Sequence, residues 1–262
     1  AGKSHVVEPL DERLQSVLTE ERLDRGLALV IGQRDTRLAE QIAAASRLQV
    51  VLLLDDADEV AKARRQLLEQ ADSAEHAADR GQVSVQHDSE QESLPYADYA
   101  FNLVATTGEA ALNRTAELHR VLRPAGGILY LDPATADVVN AVEATFKNGG
   151  DPAFEIHRAG DSAVCRRGKL PGALDWDSEM DRDQRVKWPL ELLWFGGPGS
   201  KRTGSGSRAP VAAGGRNLVI GKNHLVALDA YNGTELWSRT LPYLYRNIDR
   251  LRGENATDPK VL

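Results

Sequence analysis

A single cysteine, Cys165, stands in 262 residues, which excludes an internal disulfide framework and a thiol-rich metal site. That count does not decide the compartment. The six histidines are scattered, with no pair at metal-ligand spacing, so no metal is indicated. No apolar run approaches the roughly 20 residues that span a bilayer, so no membrane span is expected. Basic charge is short as well. Against 39 Asp and Glu stand 32 Lys and Arg, a net −7 with no basic face to meet nucleic acid. The dinucleotide fingerprint G-x-G-x-x-G is missing. So is an initiator Met, since the chain opens AGKSH, as expected of a mature or trimmed form. What remains is 42% hydrophobic and 27% charged, the make-up of an ordinary globular protein with length for one or two domains.

The rest of the chain is organised around Leu27 to Asp56, LALVIGQRDTRLAEQIAAASRLQVVLLLDD. Leu27 to Ile31 is a short unbroken apolar run, as expected of a parallel strand buried on both faces. Gly32 ends it, and Asp35 or Thr36 can cap the helix that follows. Leu38, Ile42 and Ala45 mark one face of that helix. Gln49 to Leu54 is the second strand, closed by Asp55 and Asp56. In nucleotide-binding α/β folds the first turn holds the ligand at a helix N-terminus. An acid after the second strand accepts hydrogen bonds from the ribose.

The alternation continues on both sides of this stretch. Leu10, Leu14, Val17 and Leu18 phase an opening helix, and Val60, Ala63, Leu67 and Ala71 a longer one. Val83 to Gln86 is the third strand, followed by His87 and Asp88, and Phe101 to Ala105 is the fourth. Ala111, Thr115, Leu118 and Leu122 predict one helix, ended by Pro124 and Gly126-Gly127. Ile128 to Leu131 is the fifth strand, and Val139, Val142 and Phe146 phase the helix after it. AFEIHRAG and SAVCRRG, joined at Gly160-Asp161, predict a hairpin in which Cys165 is a small core residue. Residues 1–168 therefore read as five β/α units closed by an antiparallel hairpin.

Four stretches in this order resemble class I S-adenosylmethionine-dependent methyltransferases. ALVIGQRDTRLAEQIA stands at the family's first-strand glycine motif, and VVLLLDDADEVAKARRQL at its second-strand segment. VSVQHDSEQESLPYADYAFNLVATTG is similar to its third-to-fourth strand passage, and ELHRVLRPAGGILYLD to its helix and fifth strand. The resemblance implies a Rossmann-like, mainly parallel sheet ending in an antiparallel hairpin. It also implies a cofactor site at Gly32, Gln33, Asp55, Asp56 and Asp88. Gly32 would lie under the methionine part of S-adenosylmethionine, Asp55 would accept from the ribose hydroxyls, and Asp88 would approach the adenine amino group. The alternative for Asp55, Asp56, Asp58 and Glu59 is a solvated helix N-terminus favoured by the macrodipole. The alternative for His87 and Asp88 is an ordinary loop after a strand. Where the family places further glycines, this chain has Gln33, Arg34, Asp35 and Thr36, whose side chains occupy space that backbone amides need near a ligand. Weak cofactor binding is the expectation, improved by glycine at 34 and 36. No Asn-Pro-Pro-Tyr type motif follows the fourth strand, so no catalytic base is named.

After residue 168 the composition shifts. Residues 169–215 form a linker and junction, with Gly196 to Gly215 expected as a loop. In residues 216–262, Leu218 to Ile220 and Leu225 to Leu228 are short strands. Asn232-Gly233 is a hairpin turn and Leu236-Trp237 opens another strand. Leu225, Ala227, Leu228, Asp229, Ala230, Gly233 and Trp237 resemble one repeat of a pyrroloquinoline-quinone type β-propeller. One repeat does not imply bound quinone, and a propeller needs about four to eight blades. The remaining blades or another polypeptide are therefore the expected partner of this partial propeller segment. Trp188, Trp194, Phe195 and Trp237 are too apolar for a free tail. The joint pattern resembles large exported bacterial propeller proteins, which implies a periplasmic or extracellular location, or a cytoplasmic one for an active methyltransferase. Two function classes follow: methyl transfer from S-adenosylmethionine to an unidentified acceptor, or a non-catalytic binding or scaffolding module.

Overall fold

The computed structural model describes residues 9–71, 81–89, 93–151, 153–173, 175, 192–196, 211–221 and 223–241. The chain forms two compact units, Ala1–Ala173 and Leu174–Leu262.

The first unit alternates as its apolar periodicity predicts. In order it holds α1 (Glu12–Glu20), β1 (Arg25–Ile31), α2 (Arg37–Ala45), β2 (Arg47–Leu54), α3 (Ala57–Ala71) and β3 (Val83–His87). There follow β4 (Leu103–Thr106), α4 (Gly108–Leu112), α5 (Thr115–Val121), β5 (Ile128–Leu131), α6 (Ala136–Asn148), β6 (Glu155–Ala159) and β7 (Ser162–Arg166). The seven strands form one sheet in the order β3-β2-β1-β4-β5-β7-β6. The first five run parallel. β7 lies antiparallel between β5 and β6. This is the Rossmann-like sheet with a terminal antiparallel hairpin that the sequence resemblance implies.

Central β1 shows why its sequence is an unbroken apolar run. Ala28 and Val30 join a core shared with Leu14 of α1, Ile42 of α2 and Val60 of α3. Leu29 and Ile31 join the opposite core, with Leu118 of α5 and Val142 and Phe146 of α6. Both faces of the sheet are covered, so alternation gives way to continuous hydrophobicity. Cys165 is buried in the second core.

Two elements differ from expectation. β4 begins at Leu103, while Phe101 makes only an isolated parallel bridge to Leu122. Between them Asn102 turns its Oδ1 to accept from Leu27 N–H at 3.0 Å. The single helix expected over Ala111 to Leu122 is two, α4 and α5, interrupted at Asn113-Arg114.

The second unit holds β8 (Val211–Ala213), β9 (Arg216–Ile220), β10 (His224–Asp229) and β11 (Glu235–Thr240). They form a four-stranded antiparallel meander. β8 corrects the loop expected over Gly196 to Gly215. Gly214 and Gly215 both adopt positive φ, +56° and +71°, and fold β8 back onto β9 with Ala213 opposite Arg216. Asn232-Gly233 makes the anticipated turn between β10 and β11, with Gly233 at φ +73°. Trp194 Nε1–H donates to Ala230 O at 3.0 Å, and its ring covers Gly233. Phe195, by contrast, is 95% exposed. Trp188 and residues 201–208 lie outside the described residues. Among the described residues no helix is long and apolar enough to cross a membrane.

Candidate functional site

A cleft of about 490 Å³ opens at the carboxyl ends of β1, β2 and β3. That is the edge where open α/β sheets bind ligands, and the volume falls within the usual range for small molecules. Gly32, Gln33, Asp55 and Asp88 all line it, so four of the five residues proposed from sequence converge. Each arrives for a local reason. Gly32 ends β1 at φ +75°, and a Cβ there would collide with Thr107 Oγ1 and lie 2.8 Å from Ala110 Cβ. Its missing side chain therefore admits the first turn of α4. Asp55 follows β2 directly with an exposed side chain, and its carbonyl lies 3.3 Å from His87 Nε2.

Asp56 does not line the cleft. Its Oδ1 accepts from Asp58 N–H at 2.8 Å and Glu59 N–H at 3.0 Å, which makes it the cap of α3. The helix-terminus alternative describes Asp56, whereas Asp55 faces the cavity.

The turn after β1, Gln33 to Thr36, divides by role. Gln33 is half-buried and Arg34 exposed, and both border the cleft. Asp35 Oδ1 accepts from Arg37 N–H at 3.0 Å. Thr36 is buried and makes no side-chain capping bond. Its Oγ1 instead accepts from Gln66 Nε2 at 2.8 Å. Of the two positions considered for glycine, only Arg34 shows no such structural tie among the described residues.

Asp88 is held by a partner that the sequence did not disclose. Its Oδ2 pairs with Arg114 Nη2, and the two side chains are only 5% and 9% exposed. Asp88 Oδ1 and Arg114 Nη1 are both buried without a hydrogen-bond partner among the described residues. Leaving such groups unsatisfied costs about 1–3 kcal/mol each, more when charged. Arg114 stands in the break between α4 and α5, and that break carries it to the cleft wall. Periodicity could not reveal it, because a continuous and a broken helix share the same apolar spacing. Tyr96 donates its hydroxyl to Gln86 Oε1 at 2.9 Å. Burial, and then the charge of Asp88, push its pKa up to about 12, so it stays a neutral phenol.

A second cleft, of about 270 Å³, adjoins the first along Gln33. Asp11, Asp35, Thr106, Tyr130 and Asp132 line it. The Asp132 carboxyl is held above the ordinary range, by desolvation first and then by Asp11. Burial likewise raises the Tyr130 phenol. No group of three or more metal-ligating side chains occurs among the described residues.

No family model matches the sequence, and no curated protein matches it. Solved structures similar to the chain include a putative S-adenosyl-L-methionine-dependent methyltransferase from Methanococcus maripaludis. It is 13% identical over 60% of this chain and 83% of that one, with a TM-score of 0.48. A SAM-dependent O-methyltransferase from Thermotoga maritima is 9% identical over 62% and 68% of the two chains, at 0.46. A predicted O-methyltransferase from Agrobacterium tumefaciens is 19% identical over 60% and 81%, at 0.42.

Proposed function

We propose that the α/β unit is a methyltransferase-type domain that takes the adenosyl part of S-adenosylmethionine into the larger cleft. The observation that carries this reading is the meeting of Gly32, Asp55 and Asp88 in one cavity at the strand ends. The residues fit the group in two respects. The Asp55 carboxylate is exposed to accept from ribose hydroxyls, and Asp88, an acid after the third strand, lines the same cavity. The bound cofactor supplies an electrophilic methyl group. This chain's residues bind and orient it, and the acceptor is left open. Calorimetric titration with S-adenosylhomocysteine tests the reading. Saturable binding that weakens in Asp55→Asn supports it, and absence of binding at millimolar ligand overturns it.

A second reading is a non-catalytic binding or scaffolding module. Gln33 and Arg34 favour it, because their side chains border the cleft where glycine would let backbone approach. Cofactor binding without methyl transfer to any offered acceptor fits this second reading.

The C-terminal meander has the strand number of one propeller blade. On the same proposal it belongs with further blades, or with another polypeptide, along its exposed strand edges. An exported setting accords with that segment, and a cytoplasmic one with an active methyltransferase.

A further inference from the structure

The smaller cleft continues the larger one along the carboxyl edge of the sheet, and Gln33 borders both. Strand order fixes their succession. Asp55 and Asp88 follow β2 and β3, Thr106 ends β4 and Asp132 follows β5, with β1 between the two pairs. With base and ribose at the β2–β3 end, the sulfonium end of the cofactor is left at β1, beside Gln33 and the smaller cleft. The wall of that cleft is mixed. Leu14 of α1 and Leu38 of α2 are apolar, while Thr106 and Tyr130 are buried polar groups. Of its three acids, Asp35 pairs with Arg37, and Asp11 caps α1 by accepting from Arg13 N–H. The side chain of Asp132 has no such tie among the described residues, and it stands exposed on the cavity wall. Its backbone N–H donates to Thr106 O at 3.1 Å, which keeps the chain just beyond β5 in register with β4.

We propose that the smaller cleft is the methyl-acceptor subsite for an alkylamine, with Asp132 accepting a hydrogen bond and then a proton from its ammonium group. Charge selects this class. Asp11, Asp35 and Asp132 against Arg37 make a wall that repels a carboxylate or phosphate and attracts a cation. The nearby Arg13 is engaged elsewhere, donating to Ser162 Oγ at 3.3 Å. An ammonium nitrogen has no lone pair, so it must lose a proton before it can take a methyl group. Desolvation first, then Asp11, hold the Asp132 carboxyl above the ordinary range; Asp161 adds to this and Arg13 opposes it. A carboxylate shifted in that direction is a better base near neutral pH. The Tyr130 phenol is also raised, so it stays protonated and does not compete for the role. Asp132 takes one ammonium proton, the freed lone pair forms the N–C bond, and the C–S electron pair returns to sulfur. The proton then leaves Asp132 for solvent. The inference rests on the adenosyl reading of the larger cleft, and adds to it the class of acceptor.

The test is calorimetric titration of the full chain with butylamine, butanol and butyrate, with and without S-adenosylhomocysteine. Butylamine is expected to bind at least about tenfold more tightly than butanol or butyrate, and Asp132→Asn to remove most of that preference. Thermal melting establishes whether the variant is folded; if it is not, the ligand ranking on the native chain decides. Nα-acetyl-lysine N-methylamide separates two sources of the same group. Tighter binding than butylamine supports an acceptor on a peptide side chain, and weaker binding supports a small free amine. Absence of an amine preference overturns the assignment, as does a full preference in folded Asp132→Asn. If S-adenosylhomocysteine still binds in either case, the adenosyl reading survives. An Asp132-dependent amine preference without S-adenosylhomocysteine binding overturns the acceptor role together with the methyltransferase reading. Failure of every ligand overturns both.

Discussion

The side-chain amide of Gln66 donates to Thr36 Oγ1 at 2.8 Å and to Glu40 Oε1 at 3.2 Å, fastening the turn after β1 to α3. Thr36→Gly removes the acceptor and loosens the backbone, and is expected to cost about 1–2 kcal/mol in urea unfolding. Arg34→Gly, at an exposed position, should stay within about 0.5 kcal/mol of the native protein. It should also tighten S-adenosylhomocysteine binding. Unchanged or weaker binding by Arg34→Gly would show that its side chain does not obstruct the ligand.

Gly32→Ala should be costly. The residue sits at φ +75°, and a Cβ would strike Thr107 and Ala110 at the start of α4. Left-handed strain alone is about 1–2 kcal/mol, and displacing α4 adds to it. A loss below about 1 kcal/mol in urea unfolding would mean that α4 yields freely.

His119 gives a pH signature. Burial, followed by the charge of Arg167, lowers its pKa from the ordinary 6.5 to about 4. Between those values the unfolded chain binds a proton that the native imidazole refuses. Its stabilising contribution is therefore complete above about pH 6.5 and is lost progressively down to about pH 4. His119→Asn should flatten the fall in denaturation midpoint between pH 7 and pH 5. An undiminished slope in that variant would assign the acid sensitivity to other groups.

The Cys165 thiol is pushed up to about 12, by burial and then by the charge of Glu143. Thiolate is the reactive form, so the native protein should resist a disulfide reagent at pH 8. One equivalent should appear on denaturation. Rapid labelling of folded protein would require β7 to open locally.

In the second unit the Trp194 ring covers Gly233, and its N–H caps Ala230 O. Trp194→Ala is expected to destabilise the meander by about 1–3 kcal/mol. Faster tryptic cutting at Arg216 and Arg239 would report it. Cutting at the native rate would show that the β10–β11 turn holds without its cover.

Much of the α/β unit was legible because its central strands are buried on both faces and leave continuous apolar runs. The hairpin was legible from Gly160-Asp161. The helix break was not, since Ala111 and Leu118 keep one apolar face whether or not the backbone turns between them. Asp55 and Asp56 look alike in sequence. Only the amides of Asp58 and Glu59 separate a helix cap from a cleft residue. The pairing of Asp88 with Arg114 joins residues 26 apart and leaves no local mark. β8 was hidden by composition, although Gly214-Gly215 was a hairpin signal of the same kind as Asn232-Gly233.

The insertion of β7 between β5 and β6 bears on how the chain is made. On a ribosome β6 emerges first, but it has no neighbour in the sheet until Ser162–Arg166 follows, because its ladder is to β7 alone. Immediately afterwards comes Arg167, whose guanidinium reaches His119 O at 2.5 Å and also Leu122 O. A nascent chain halted before Ser162 would present β5, buried along its whole length in the finished domain, as a bare apolar edge. The last ten residues of the sheet thus seal an edge that everything synthesised before them leaves open to misassociation.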